Sequence, residues 1–128
     1  MQNTLKEMVL RYFTAVDAEN LDGILALLTP DCVFTVETHG VDLRGHDEIA
    51  GMFHRLWSAH EEVRHRDFRF VSDPANNRIA VQFLVENVEL DGSLTHKSNC
   101  NFFDAAGAQF DRISVYMAGA NTLHGESD

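Results

Sequence analysis

The stretch from Arg11 to Ile49, RYFTAVDAENLDGILALLTPDCVFTVETHGVDLRGHDEI, decides the fold more than any other part of this chain. It contains, in order, the end of an amphipathic helix, a short second helix, a strand, a polar loop and the start of a third helix. Apolar residues recur at helical spacing along the first helix, so one of its faces should pack on a core. These residues are Leu5, Met8, Val9, Tyr12, Phe13 and Val16. On that face, the hydroxyl of Tyr12 needs a hydrogen-bond partner or a function.

Local signals predict where the helices begin and end. Thr4 and Glu7 have the spacing of a capping box at the start of the first helix. Asn20 is a favourable N-cap for the second helix, and Pro30 should end it. The third helix should run over residues 47–58, with acidic residues at its positive N-terminal end.

The remaining segments predict strands. Residues 32–38 are rich in β-branched and aromatic types, and a polar loop with Gly40 and Gly45 follows them. Short turn signals separate the later strands, so neighbouring strands should run antiparallel. The predicted ranges of these later strands are 63–71, 78–90, 94–104 and 109–117. The pattern predicts an α+β fold, in which a curved antiparallel sheet wraps as a cone around three N-terminal helices and leaves an internal pocket.

Composition and charge narrow the class of protein. With 128 residues, 45% of them apolar, the chain should form one domain over residues 1–123, followed by a loose tail over 124–128. The net charge of −10 argues against binding to nucleic acid or to anionic membranes. The sequence has no apolar run long enough to cross a membrane, and its first residues lack a signal-peptide pattern, so we expect a cytoplasmic protein. Neither cysteines nor histidines have metal-site spacing, so we expect no metal.

The dipeptide DG at residues 91–92 predicts the register of the longest hairpin. A two-residue turn there sets Asn87 opposite His96 and Glu86 opposite Lys97. Because side chains alternate along a strand, Asn87 and His96 should share the interior face. The same face would carry Val81, Phe83, Val85, Ser98, Cys100 and Phe102. Buried polar side chains need hydrogen-bond partners, so the polar end of this face predicts a wet cavity.

Three segments carry a resemblance to a known family. They are RYFTAVDAENLDGILALL with the strand that follows it, RGHDEIAGMF, and the closing stretch NFFDAAGAQFDRISVYMAG. With these segments the chain resembles the nuclear transport factor 2 superfamily, in particular its SnoaL-like and ketosteroid isomerase-like branch. The resemblance covers nearly the whole chain. It implies a cone that hosts isomerases, dehydratases, epoxide hydrolases, polyketide cyclases and noncatalytic binding modules.

Comparison with the ketosteroid isomerase matches one of its three catalytic groups. Tyr12 falls where the isomerase has the tyrosine that donates a hydrogen bond to a developing enolate. Val36, with Glu37 beside it, stands where a carboxylate base is needed. Cys100 or Asn101 stands where the second donor is needed. We therefore do not expect ketosteroid isomerisation by that mechanism.

Three residues are predicted to be catalytic: Tyr12, His96 and Glu37. Tyr12 would donate a hydrogen bond to a substrate oxygen, and His96, held by Asn87, would act as acid or base. Glu37 would be a general base if its strand turns it inward, whereas regular alternation along the strand would place it in solvent. Purely structural interpretations stay open, with Tyr12 bonded to backbone in the core and His96 fixed at the sheet edge.

Six residues are predicted to bind the substrate: Trp57, Phe53, Asn87, Ser98, Cys100 and His39. Trp57 and Phe53 would form an apolar wall for a flat molecule, although core packing explains Phe53 as well. Pairing through the turn at residues 76–77 would put Arg66 on the face of Phe68. An inward Arg66 would anchor a carboxylate, while a solvated or dimer-facing strand is the simpler interpretation.

These observations predict a SnoaL-like protein that binds a small, mainly apolar or amphipathic molecule. The predicted activity is cofactor-free proton transfer of the isomerase, dehydratase or cyclase type. The alternative is a noncatalytic ligand-binding or accessory module of the same fold. The resemblance also implies a homodimer formed through the outer face of the sheet.

Overall fold

The structure is a computed structural model that describes residues 2–119, with the side chains of residues 4–119. The predicted tail over residues 124–128 lies outside this range. The described residues form three α-helices, namely α1 (Gln2–Asp17), α2 (Leu21–Ala26) and α3 (Gly45–Ala59). The strands are β1 (Leu28–Val36), β2 (Val41–Arg44), β3 (His60–Asp73), β4 (Arg78–Glu89), β5 (Leu94–Ala106) and β6 (Gln109–Tyr116). Two short 3-10 turns span Glu37–His39 and Pro74–Asn76.

The strands form one sheet in the order β2-β1-β6-β5-β4-β3. Neighbouring strands are antiparallel except β1 and β6, which run parallel. Helix α1 packs on β3 and α3 packs on β1. We call the face beneath these helices the inner face and the opposite one the outer face. The predicted α+β fold is confirmed.

The polar loop predicted after β1 is wrong in part, because residues Val41–Arg44 pair with β1 as the edge strand β2. Only Val41 and Leu43 of this strand are partly covered, and the charged Asp42 and Arg44 are exposed. Charged residues are common on edge strands, where they discourage pairing with other chains. A short strand with so few apolar residues resembles a loop in sequence.

The N-cap predicted for α2 is confirmed, whereas the capping box predicted for α1 is wrong. The backbone N–H of Gly23 donates to Oδ1 of Asn20 over 3.0 Å. Helix α1 already begins at Gln2, so Thr4 lies inside the helix and cannot cap it.

Pro30 does not end α2, which stops at Ala26. It lies inside β1, where the ladder with β6 is interrupted between Leu28 and Val33. Proline is tolerated there because its missing N–H is not needed for a ladder hydrogen bond. The strand therefore begins before the predicted range of residues 32–38.

A three-residue loop joins β4 to β5, so the predicted two-residue turn is wrong. The N–H of Glu89 donates to the carbonyl of Ser93 over 2.8 Å, which pairs these two residues across the loop. Gly92 lies in the left-handed region at φ +86°, as expected near the end of a three-residue hairpin loop. The extra loop residue shifts the register by one, so that Glu86 lies opposite His96.

This register shift exchanges the two faces of β5, because side chains alternate along a strand. The inner face of β5 carries Thr95, Lys97, Asn99, Asn101 and Phe103, and the outer face carries Leu94, His96, Ser98, Cys100 and Phe102. The predicted interior positions of His96, Ser98 and Cys100 are therefore wrong. Asn99 and Asn101 are buried in the interior instead.

A β-bulge in β3 decides which side chains of that strand face inward. Between Arg66 and Arg69, two residues of β3 oppose one residue of β4. Asp67 in the bulge has φ +59°, a conformation that aspartate tolerates better than most residues. The bulge changes the alternation, so that Arg66 lies on the outer face while His65 and Phe68 lie on the inner one. The predicted common face for Arg66 and Phe68 is wrong for this reason.

Candidate active site

A cavity of about 40 Å³ lies between α1, α3 and the inner face of the sheet. One buried water needs roughly 10–15 Å³, so the cavity has room for a few water-sized groups. Most of its wall is apolar, and this part includes Phe13, Phe34, Phe53, Phe83 and Val115. The polar side chains along it are Tyr12, His65, Asn87, Asn99 and Asn101. An apolar cavity with a few polar groups is the usual form of a small-molecule site.

Tyr12 reaches the cavity from α1, and its side chain is buried. Its ring makes edge contacts with Phe13, Phe53 and Phe103, at centroid distances of 5.1, 6.3 and 5.4 Å. Burial raises the pKa of Tyr12 far above its ordinary value, and the Cys32 thiol adds to the shift. The phenol therefore keeps its proton and can donate a hydrogen bond to a ligand oxygen.

His65 and Asp17 form a hydrogen-bonded pair beside the cavity. Nδ1 of His65 lies 2.5 Å from Oδ1 of Asp17, and the backbone N–H of His65 donates to Oδ2 over 2.9 Å. Asp17 is the last residue of α1, where the helix dipole disfavours a negative charge. The two hydrogen bonds from His65 offset this penalty and hold the imidazole in one orientation. A histidine oriented by a carboxylate in this way is a common general acid or base.

Three asparagines place amide groups in the interior. Asn87 is fully buried, and neither its Nδ2 nor its Oδ1 has a hydrogen-bond partner among the described residues. Oδ1 of Asn101 is also without a partner there. Asn99 differs, because its Oδ1 accepts a hydrogen bond from the backbone N–H of Ala118 over 3.0 Å. A buried amide without a partner costs about 1–3 kcal/mol, so such groups at a cavity point to a ligand or to water.

The structure places His96 outside this cavity. Its Nε2 lies 2.9 Å from Oε2 of Glu86 on the outer face, and the predicted partnership with Asn87 is wrong because of the hairpin register. Arg64 donates to the other oxygen of Glu86 over 2.9 Å. The hydrogen bond from His96 is the largest cause of a lowered pKa of Glu86, and the hydrogen bond from Arg64 is the next.

Of the predicted substrate-binding residues, Phe53 and Asn87 line the cavity. Trp57 stacks on Phe53 at 5.6 Å and donates from Nε1 to the carbonyl of Val16 over 3.2 Å, so it supports the wall from behind. Ser98 and Cys100 line an open groove of about 710 Å³ on the outer face of the sheet.

Glu37 and His39 lie in the 3-10 turn after β1 and do not line the interior cavity. The hydroxyl of Thr35 donates to Oε2 of Glu37 over 2.5 Å, and Arg112 lies 3.7 Å from the same oxygen. Nε2 of His39 lies 2.9 Å from the carbonyl oxygen of Gly119. Glu37 is thus part of a polar cluster outside the cavity.

The sequence reasoning missed Asp17, His65 and Asn99 as members of the site. The available signal for Asp17 was its place at the end of a helix, where a carboxylate needs a partner. His65 gave no signal, because a regular β3 without a bulge would place Arg66 on the inner face and His65 on the outer one. Of the two candidates named for the second donor of the isomerase, the structure brings Asn101 inside and leaves Cys100 on the outer face.

Two other kinds of site are absent from the described residues. No helix within residues 2–119 has the length and apolar character that crossing a membrane requires. In the same part of the chain, no three or more His, Cys, Asp or Glu side chains are grouped so as to hold a metal ion.

A family model for the SnoaL-like domain matches residues 9–116. The fold is similar to a candidate polyketide cyclase from Xanthomonas campestris pv. campestris, with a TM-score of 0.82, 19% identity and 90% of each chain covered. It is also similar to one from Pseudomonas putida KT2440, with a TM-score of 0.82, 20% identity and 97% and 98% of the two chains covered. TerC, crystallised with polyporic acid, gives a TM-score of 0.77, 16% identity and coverage of 88% and 89%. Identities this low support a shared fold only, and no curated protein matches the chain in sequence.

Proposed function

Because the chain belongs to the SnoaL-like domain family, we propose that it is an enzyme that binds a small carbonyl-containing molecule in its interior cavity and transfers a proton on it. The His65–Asp17 pair beside the cavity is the observation that carries this proposal. Among its structural relatives, TerC was crystallised with polyporic acid and a protein from Catenulispora acidiphila with trimethylamine. These two cases support the use of this fold to hold small molecules.

In the proposed reaction, Nε2 of His65 takes a proton from the carbon next to the carbonyl group. The electron pair of the C–H bond forms a carbon–carbon double bond, the π pair of the carbonyl group moves onto its oxygen, and Asp17 stabilises the imidazolium that forms. Tyr12 donates a hydrogen bond to the resulting enolate oxygen. The imidazolium then returns the proton to another carbon or to a leaving hydroxyl group. Isomerase, dehydratase and cyclase reactions share the first of these steps.

The experiment follows hydrogen–deuterium exchange at the α-carbons of acetone and cyclopentanone in D₂O by NMR. We expect His65→Gln to slow the enzyme-catalysed exchange about 100-fold, which is typical for the loss of a general base. His96→Gln is the matched control. Because His96 lies on the outer face, its replacement should leave the exchange rate unchanged. The proposal would be wrong if the wild-type protein does not accelerate the exchange over buffer, or if wild type and His65→Gln give equal exchange rates.

A second candidate function is the binding of a small ligand without chemistry. The volume of about 40 Å³ favours it, because a cavity of this size admits few atoms without side-chain movement. In this case His65→Gln would change ligand affinity, and no exchange above the buffer rate would be seen.

We also propose that the protein forms a homodimer through the outer face of the sheet. The outer face carries Val71, Leu94 and Tyr116, which are 74%, 54% and 42% exposed. Exposed apolar side chains spread over one sheet face are consistent with contact to a second copy. Light scattering after size-exclusion chromatography measures the mass directly, and a monomer at all concentrations would contradict the dimer.

A further inference from the structure

The least satisfied polar group of the interior is the side chain of Asn87. It is 0% exposed, and both its donor and its acceptor have no hydrogen-bond partner among the described residues. The strand register places Val63 on one side of Asn87 and Thr95 on the other. The ladder on both sides holds the backbone of Asn87 in place. The amide group therefore lies at the cavity and is shielded from bulk solvent.

The position also lies close to the proposed acid–base pair. His65 pairs with Val85 on the neighbouring strand, and Asn87 lies two residues further along the same strand. Diagonal neighbours of this kind on one sheet face have Cα atoms about 7–8 Å apart, which is within reach of a small bound molecule. Asn87 and His65 both line the cavity.

We infer that Asn87 is a ligand-recognition residue, and that the cavity takes a neutral molecule whose hydrogen-bond donor and acceptor lie on neighbouring atoms. Carboxamides and lactams are the simplest groups of this kind. The inference rests on the proposed function only in taking the interior cavity as the ligand site, and it does not require proton transfer.

The chemistry of the side chain favours carboxamides over carboxylates and simple ketones. A carboxylate would accept a hydrogen bond from Nδ2 of Asn87, but its negative charge would face Oδ1, which is also an acceptor. A ketone would satisfy Nδ2 and leave Oδ1 without a donor. A carboxamide or lactam satisfies both atoms at once, and it adds no buried charge to an apolar cavity.

Acetamide and acetone are a matched pair of probes for this inference. Both have four heavy atoms, and they differ in that acetamide carries an N–H donor beside its carbonyl group. Their binding is measured by NMR titration of the wild-type protein, of Asn87→Leu and of the control Gln82→Leu. Gln82 is exposed on the same strand, so its replacement leaves the cavity unchanged.

The wild-type protein and Gln82→Leu should bind acetamide about tenfold more tightly than acetone, and Asn87→Leu should bind the two equally. If Asn87→Leu does not fold, Asn87→Val replaces it, since a shorter apolar side chain fits the same space and can neither donate to acetamide nor accept from it. Equal affinities in the wild-type protein, a preference that survives in Asn87→Leu, or no shift of cavity resonances with either probe would overturn the inference. A crystal structure grown with acetamide that shows only water at Asn87 would do the same.

The two proposals fail separately. Preferential binding of acetamide without any α-carbon exchange of ketones would leave this inference standing and remove the catalytic proposal. Exchange that depends on His65, together with equal binding of the two probes, would do the opposite.

Discussion

Replacing Asn87 by leucine is expected to stabilise the fold. The two side chains have the same number of heavy atoms and the same branched shape, so leucine needs little extra space. The amide of Asn87 is fully buried and has no partner among the described residues. A buried polar group without a partner costs about 1–3 kcal/mol, and an apolar replacement of the same shape removes this cost.

The expected gain in the free energy of unfolding is therefore about 1–3 kcal/mol for Asn87→Leu. Urea unfolding measures it, with the fluorescence of Trp57 as the probe. Trp57 is the only tryptophan of the chain, and its ring stacks on Phe53 at the cavity wall. For a chain of this length, each kcal/mol should raise the melting temperature by roughly 3–6 °C.

Asn99→Leu is the matched control, and its sign should be the opposite. Oδ1 of Asn99 accepts a hydrogen bond from the N–H of Ala118, so leucine leaves this N–H without its partner. We expect a loss of about 1–2 kcal/mol in the free energy of unfolding. A destabilised Asn87→Leu, with a loss as large as that of Asn99→Leu, would refute the reasoning. It would mean that the amide of Asn87 is satisfied in the folded protein.

Three further predictions concern the turns and the outer face. Gly92→Ala should lower the free energy of unfolding by about 1 kcal/mol, because Gly92 has φ +86°. Gly51→Ala inside α3 is the control and should not lower it. Chemical denaturation compares the two variants. Asp67→Gly should leave the free energy of unfolding nearly unchanged, but Asp67→Val should lower it by about 1–3 kcal/mol, because Asp67 has φ +59° and a β-branched residue is strained there. Equal losses for the two variants would contradict the conformation assigned to the bulge. Hydrogen bonds from His96 and Arg64 lower the pKa of Glu86 in the folded protein. The ionised Glu86 therefore stabilises the fold above its ordinary pKa of 4.5, and this stabilisation is lost as the pH falls through the lowered pKa of the folded state. Glu86→Gln should therefore lose less stability than the wild-type protein between neutral and acidic pH, which thermal unfolding at several pH values measures.

Local sequence signals were sufficient to predict the α+β fold and most of its elements. The apolar stripe of α1, the Asn20 cap and the turn signals between the later strands act over a few residues, so they can be read without tertiary contacts. The strand β2 was missed because Val41–Arg44 has too few apolar residues to differ from a loop. Tyr12 and Phe53 were predicted at the pocket, and both line the cavity.

The tertiary structure alone decided which polar residues enter the cavity. One extra residue in the loop before Ser93, and one extra residue at the Asp67 bulge, each reverse the side on which alternate side chains point. As a result His96 lies outside while Asn101 and His65 lie inside. His65 meets its partner Asp17 across 48 positions of the chain, and no local pattern reports a contact of that kind. The sequence by itself thus determined the scaffold, whereas two single-residue irregularities in the sheet selected the chemical groups that the scaffold presents.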